Sequence, residues 1–194
     1  MAKQAKQTNK AQQTVRIIAG VWRSRKIAFN DYNKTVRPTP DRVRETLFNW
    51  LAADIVGANC LDLYAGSGIL GFEALSRKAA SVTAVEQRYE VCQNILAAKE
   101  LLNAALTLVQ AKAEVWLANS GKPFDIVFLD PPYSSNALPN CFQLLSKNNW
   151  LKCGSLIYYE HNSVIMPDLL PQNWNVIKER KAGQVYYYLA RVGS

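Results

Sequence analysis

From Cys60 onward, short apolar runs alternate with longer stretches whose apolar residues recur at helical spacing. The runs CLDLYAG (60–66), SVTAVE (81–86), LTLVQ (106–110) and DIVFLD (125–130) are strand-like. The intervening GILGFEALSRK (68–78), RYEVCQNILAAKELLN (88–103), AEVWLANS (113–120) and ALPNCFQLLSKN (137–148) are helix-like. Such alternation predicts an α/β fold, a parallel sheet with helices on both faces, since parallel neighbours are joined only by long crossovers. The pattern changes at the end: GSLIYYE (154–160) is one more strand, and NWNVIKERKAGQVYYYLARV (173–192) reads as two strands turning at Ala182 and Gly183, a closing antiparallel hairpin. Ahead of this body, TVRIIAGVWRSRKIAF (14–29) reads as a small hairpin with its arginines outward. In RPTPDRVRETLFNWL (37–51) the spacing of Val43, Leu47, Phe48 and Leu51 predicts a helix, with Thr39 or Asp41 as its N-cap.

Length and charge sharpen this picture. A chain of 194 residues, 49% hydrophobic, suits one well-packed domain with an appendage. The expected division is a disordered basic tail over 1–13, a hairpin-and-helix extension over 14–53 and the main domain over 54–194. The net charge of +8 is concentrated at one end, for residues 1–44 carry 11 Lys and Arg against Asp31 and Asp41 alone. A basic arm on a neutral body suits a polyanionic partner, because clustered cations displace counterions from phosphates. The four cysteines show no C-x-x-C spacing and His161 is the only histidine, so reduced thiols in a cytoplasmic protein without a metal are expected. No apolar run is long enough for a membrane helix, and the first residues lack the apolar core of a secretory signal.

The first strand of the series runs into Asp62-Leu-Tyr-Ala-Gly66-Ser-Gly68-Ile-Leu-Gly71, a G-x-G-x-x-G placed between a strand and a helix. There Gly66 permits the tight turn, Gly68 a close backbone approach to a ligand, and Gly71 close packing of the helix on the sheet. Glu86 ends the second strand, where a carboxylate can bind both ribose hydroxyls, so an adenosine-containing cofactor is expected. Asp62 discriminates among such cofactors. A carboxylate beside the turn is awkward for a pyrophosphate and suits the ammonium of S-adenosylmethionine.

The fourth strand ends in FLDPPYSS (128–135). Asp130 then emerges at the same carboxyl edge as the glycine loop. An exocyclic amine on a nucleobase is a poor nucleophile, its lone pair being delocalised into the ring. The Asp130 carboxylate and the Pro131 carbonyl can each accept one of its hydrogens and draw the nitrogen toward a tetrahedral state. Pro131 and Pro132 hold these acceptors rigidly, and Tyr133 can stack on the base.

Together, the glycine loop, the acidic second strand and D-P-P-Y resemble class I S-adenosylmethionine-dependent amino-methyltransferases. RIIAGVWRSRKI, RPTPDRVRETLFNWL, CLDLYAGSGILGFEALSRKA and AGQVYYYLAR are further similar to the RsmD-type 16S ribosomal RNA guanine-N2 methyltransferases, from about Arg16 to the C-terminus. The resemblance implies a Rossmann-like fold with a seven-stranded, mostly parallel sheet and an N-terminal hairpin, and methylation of the exocyclic N2 of one guanine of 16S rRNA; a partly or fully assembled 30S particle is the expected partner, and a monomer the expected state. By position it implies that Asp62, Gly66 and Gly68 line the methionine part of the cofactor and Glu86 the ribose, with Tyr64, Gln87, Ala113 and Thr39 also at the cofactor. Asp130, Pro131, Pro132 and Tyr133 would hold the target base, and Arg16, Arg23, Arg25, Lys26, Arg37 and Arg42 the RNA. Lys112 departs from the Asn or Asp that relatives commonly place against the adenine, which leaves that contact to the Ala113 amide. The rival readings are a DNA or other-RNA amine methyltransferase, a nicotinamide dehydrogenase, and a non-catalytic ribosome-assembly factor.

Overall fold

The computed structural model describes residues 13–30, 38–132, 137–164 and 169–194. Strands β1 (Gln13–Arg16) and β2 (Lys26–Phe29) form an antiparallel hairpin, followed by helix α1 (Asp41–Trp50). Four strand–helix pairs come next: β3 (Asn59–Leu63) with α2 (Ile69–Ser76), β4 (Ser81–Glu86) with α3 (Tyr89–Leu102), β5 (Leu106–Gln110) with α4 (Ala113–Leu117), and β6 (Phe124–Leu129) with α5 (Leu138–Lys147). The chain closes with β7 (Leu151–His161), β8 (Trp174–Ala182) and β9 (Val185–Val192). The main sheet has seven strands in the order β5-β4-β3-β6-β7-β9-β8, parallel as far as β7 and antiparallel at β9 and β8. This is the architecture that the resemblance implies.

The central strands are nearly continuous apolar runs because both of their faces are covered. On one face Cys60, Ala84, Phe128 and Tyr158 pack against α1, α2, α3 and the hairpin. On the other, Leu61, Val85, Leu129 and Tyr159 pack against α4 and α5. The edge strand β8 is exposed along most of its length and carries Lys178, Arg180 and Lys181, which discourage pairing with another chain.

Helix α1 starts differently from the sequence expectation. Pro40 is the N-cap and no side chain caps the helix, so neither Thr39 nor Asp41 does so. Asp41 instead takes Arg16 at 2.8 Å and Arg44 at 2.6 Å, joining β1 to the first turn of α1. Arg44 and Glu73 form a fully buried ion pair between α1 and α2. Glu73 also accepts the amides of Ile18 (2.8 Å) and Ala19 (3.1 Å) and the Arg77 guanidinium (3.0 Å), while Arg44 donates to the carbonyls of Arg16 and Thr39. With every lone-pair direction used, the cost of burying the two charges is largely offset. Gly20 permits the hairpin turn to abut α2: a Cβ there would lie 1.9 Å from the Ser76 carbonyl oxygen. The hairpin is thereby fixed to the helix that follows the glycine loop.

Candidate active site

The sheet order reverses between β3 and β6, leaving a crevice beyond their carboxyl ends, where ligands bind in open α/β sheets. Register determines what meets there. Leu63 pairs with Val85 and with Leu129, and Leu129 pairs with Tyr159. One step further on, Glu86 of β4, Asp130 after β6 and Glu160 of β7 stand in one row, with Asp62 one pleat behind on β3. All four lie on the face of Ala84, Phe128 and Tyr158, because side chains alternate along a strand.

Asp62 is buried and accepts the Gly71 amide at 3.1 Å. Burial raises its carboxyl to about 8; the Gly71 amide opposes this and the Glu86 charge adds to it. Glu86, also buried, accepts the Gly66 amide at 3.0 Å and the Arg88 amide and guanidinium at 2.9 and 3.2 Å. It therefore ties the glycine loop to the end of β4. Gly68 caps α2 with φ 74°, and a Cβ there would come within 2.9 Å of the Phe72 ring, so the turn requires glycine at this position.

Tyr64 also has a left-handed backbone, with φ 63°. Its hydroxyl donates to Glu114 at 2.6 Å and lies 3.1 Å from the Cys141 sulfur. The glycine loop is thus bonded to the first turn of α4, next to Ala113. Ala113 is the first helical residue, where the amide has no intrahelical acceptor. Gln87 and Lys112 are exposed at the ends of β4 and before α4. Burial, then Glu160 and Asp62, holds the Asp130 carboxyl well above the usual carboxylate range. Pro131 is buried and Pro132 exposed.

These residues fit S-adenosylmethionine. A buried carboxyl is suited to a cation that would hold it ionised, an acid ends the neighbouring strand, and the intervening turn has glycine at positions 66 and 68. Among the described residues no group of His, Cys, Asp and Glu is arranged to hold a metal ion, and no helix is long and apolar enough to cross a membrane.

The structure brings Asp62, Tyr64, Gly66, Gly68, Glu86, Asp130 and Pro131 to one edge. Thr39 is buried just before α1, its carbonyl accepting Arg44 at 3.0 Å. Arg16, Arg23, Arg25, Lys26 and Arg42 are exposed, though Arg16 is engaged by Asp41. The hairpin turn that carries Arg23 and Arg25 bonds to Ser76, at the end of α2 away from the glycine loop. Arg37 and Tyr133 lie outside the described residues, as do residues 1–12. His161 ends β7 and bonds to Ser163, in keeping with a strand-end polar residue. The sequence reading missed Glu160 and the Arg44–Glu73 pair. Aligning IVFLD with IYYE by their apolar cores would have exposed the first, and a carboxylate inside the apolar helix ILGFEALS the second.

Known proteins are similar to this chain over most of its length. Residues 15–191 match the family model described as "Conserved hypothetical protein 95". The chain is 46% identical over 176 residues to ribosomal RNA small subunit methyltransferase D of Escherichia coli, covering 90% of this chain and 88% of that protein. It is 44% identical to the protein of the same name from Haemophilus influenzae, over 94% and 96% of the two chains. A solved structure of a putative methyltransferase from Escherichia coli superposes with a TM-score of 0.84 at 42% identity, over 94% of this chain and 99% of that one. The chain therefore belongs to the RsmD-type family of ribosomal RNA small subunit methyltransferases.

Proposed function

We propose that this protein methylates the exocyclic N2 of one guanine of small-subunit ribosomal RNA, position 966 in the family's usage, with S-adenosylmethionine as donor. The observation that carries the reading is the register of β4, β3 and β6, which delivers Glu86, Asp62 and Asp130 to one face of the crevice at the switch point. The names of the relatives support the RNA substrate.

Asp62 holds the ammonium of the cofactor and Glu86 its ribose hydroxyls, while the Gly66–Gly68 backbone borders the methionine chain and Ala113 the adenine. When bound, the cofactor supplies a methyl group on a positively charged sulfur. Asp130 and the Pro131 carbonyl accept the two N2 hydrogens of the guanine, which turns the nitrogen lone pair out of the ring plane and aims it. The proton that N2 loses passes to water, or to Asp130 where that carboxyl is ionised. A strong base is unnecessary, since the amine becomes acidic once methylation has begun. Positioning of this kind contributes about 7–11 kcal/mol in well-oriented systems. The base must leave its stack, at a cost of a few kcal/mol that loop RNA largely avoids. The exposed Arg23, Arg25, Lys26 and Arg42 bind phosphates outside the crevice.

Asp130→Ala tests the assignment. Labelled methyl transfer to 30S particles should fall by at least about 1,000-fold, while affinity for S-adenosylhomocysteine stays within a few-fold. Equal loss of both would make Asp130 a structural residue.

A further inference from the structure

Glu160 has no role in the chemistry above, yet it stands beside Asp130. β6 ends at Leu129, which pairs with Tyr159, so Asp130 leaves the sheet next to Glu160 of β7, on neighbouring strands about 4.8 Å apart. The Phe128 and Tyr158 rings, one pleat back, meet edge to face with centroids 6.5 Å apart, which places Asp130 and Glu160 on one face. Glu160 is 3% exposed. Tyr158 donates its hydroxyl to Glu160 at 2.5 Å, a length typical of a hydroxyl bound to a carboxylate. That bond fixes the side chain, and a carboxylate accepts at both oxygens.

The Watson–Crick edges of the nucleobases differ at the atom next to the reacting amine. Guanine has an N1–H donor beside N2. Adenine has a bare N1 beside N6, and cytosine a bare N3 beside N4, so each would set a lone pair against an anion. If Asp130 and Pro131 take the two amine hydrogens, the next acceptor along the row meets the next atom along the base edge. We propose that Glu160 accepts the N1–H of the target guanine and thereby selects guanine over adenine and cytosine in this crevice. The inference deepens the guanine-N2 reading and rests on it.

A direct probe is 2-aminopurine, which keeps the 2-amino group but lacks both the N1 hydrogen and O6. Small-subunit particles would be reconstituted with guanine or 2-aminopurine at the target nucleotide, and single-turnover methylation measured with the wild-type protein and with Glu160→Gln. The wild type should prefer guanine by about 100-fold or more, as sites built for one donor reject analogues lacking it. Glu160→Gln can both donate and accept at that position, so it should narrow the preference to within about five-fold. Its affinity for S-adenosylhomocysteine should be unchanged. The missing O6 affects both proteins alike, so the change in ratio isolates N1.

A wild type that methylates both bases equally would overturn the proposal, whatever the fold of the variant. So would a variant that keeps the wild-type ratio. Either result leaves guanine-N2 methylation standing, whereas a wild type that forms no N2-methylguanosine on the guanine particle would sink the underlying reading and this inference together.

Discussion

Ionising Asp62 in the ligand-free protein is costly, and that cost should be visible in cofactor binding. Its carboxyl is raised from 3.8 to about 8, mainly by burial. At about 1.4 kcal/mol per pH unit, ionisation is then about 6 kcal/mol harder than in water. A cationic ligand binds the ionised form, so it must draw a proton off Asp62 at any pH below about 8. With a free-protein value near 8, affinity for S-adenosylhomocysteine should rise about 50-fold between pH 6 and pH 8 and less than about two-fold from pH 8 to pH 9. The sign is fixed by the direction of the shift. The same group stabilises the ligand-free fold at low pH and loses that contribution as pH rises through about 8, because the folded protein holds the proton more tightly than the unfolded chain does. Calorimetric titration in buffers of different ionisation enthalpy measures both affinity and proton release, with nearly one proton released at pH 6.5. Asp62→Asn keeps an acceptor for the Gly71 amide but should bind weakly, with no pH dependence from this site. An affinity that is flat from pH 6 to pH 8 in the wild type would refute the linkage.

Glu73→Leu leaves two amides without their acceptor and the buried Arg44 without its fully buried counter-charge, and should destabilise the protein by about 3–5 kcal/mol in chemical denaturation; under about 1 kcal/mol would contradict the role given to the pair. Replacing Arg23 and Arg25 together by alanine should weaken RNA binding with little regard to sequence and lower the salt slope of log K by about 2, leaving S-adenosylhomocysteine binding intact. An unchanged slope would remove the hairpin turn from the RNA interface. Tyr64→Phe cuts the bond from the glycine loop to Glu114 and should weaken S-adenosylhomocysteine by about 3–10-fold, read by the same titration; equal affinity would mean that α4 is held without it.

The parallel strands were legible because each is a short apolar run ended by a functional residue: Asp62, Glu86 and Asp130 could be placed at one edge from periodicity alone. The closing hairpin was legible from Ala182 and Gly183 between two β-prone runs, and the structure turns there. The start of α1 was not. Thr39 and Asp41 both have capping chemistry, but a long-range partner, Arg16, draws Asp41 away, and local sequence does not contain that competition. Glu160 was passed over for a related reason. A Glu at the end of a strand is unremarkable until register sets it next to Asp130, and register is a property of two segments together. The reach of the hairpin arginines was hidden too, since only the bonds from the turn to Ser76 show which end of α2 they occupy.

The central claim is tested most directly by incubating the protein with labelled S-adenosylmethionine and 30S particles from cells lacking this activity, then digesting the RNA to nucleosides and mapping the label. Label in N2-methylguanosine at a single 16S position is the result expected; label in an adenosine or cytidine derivative, or none in RNA, would contradict it.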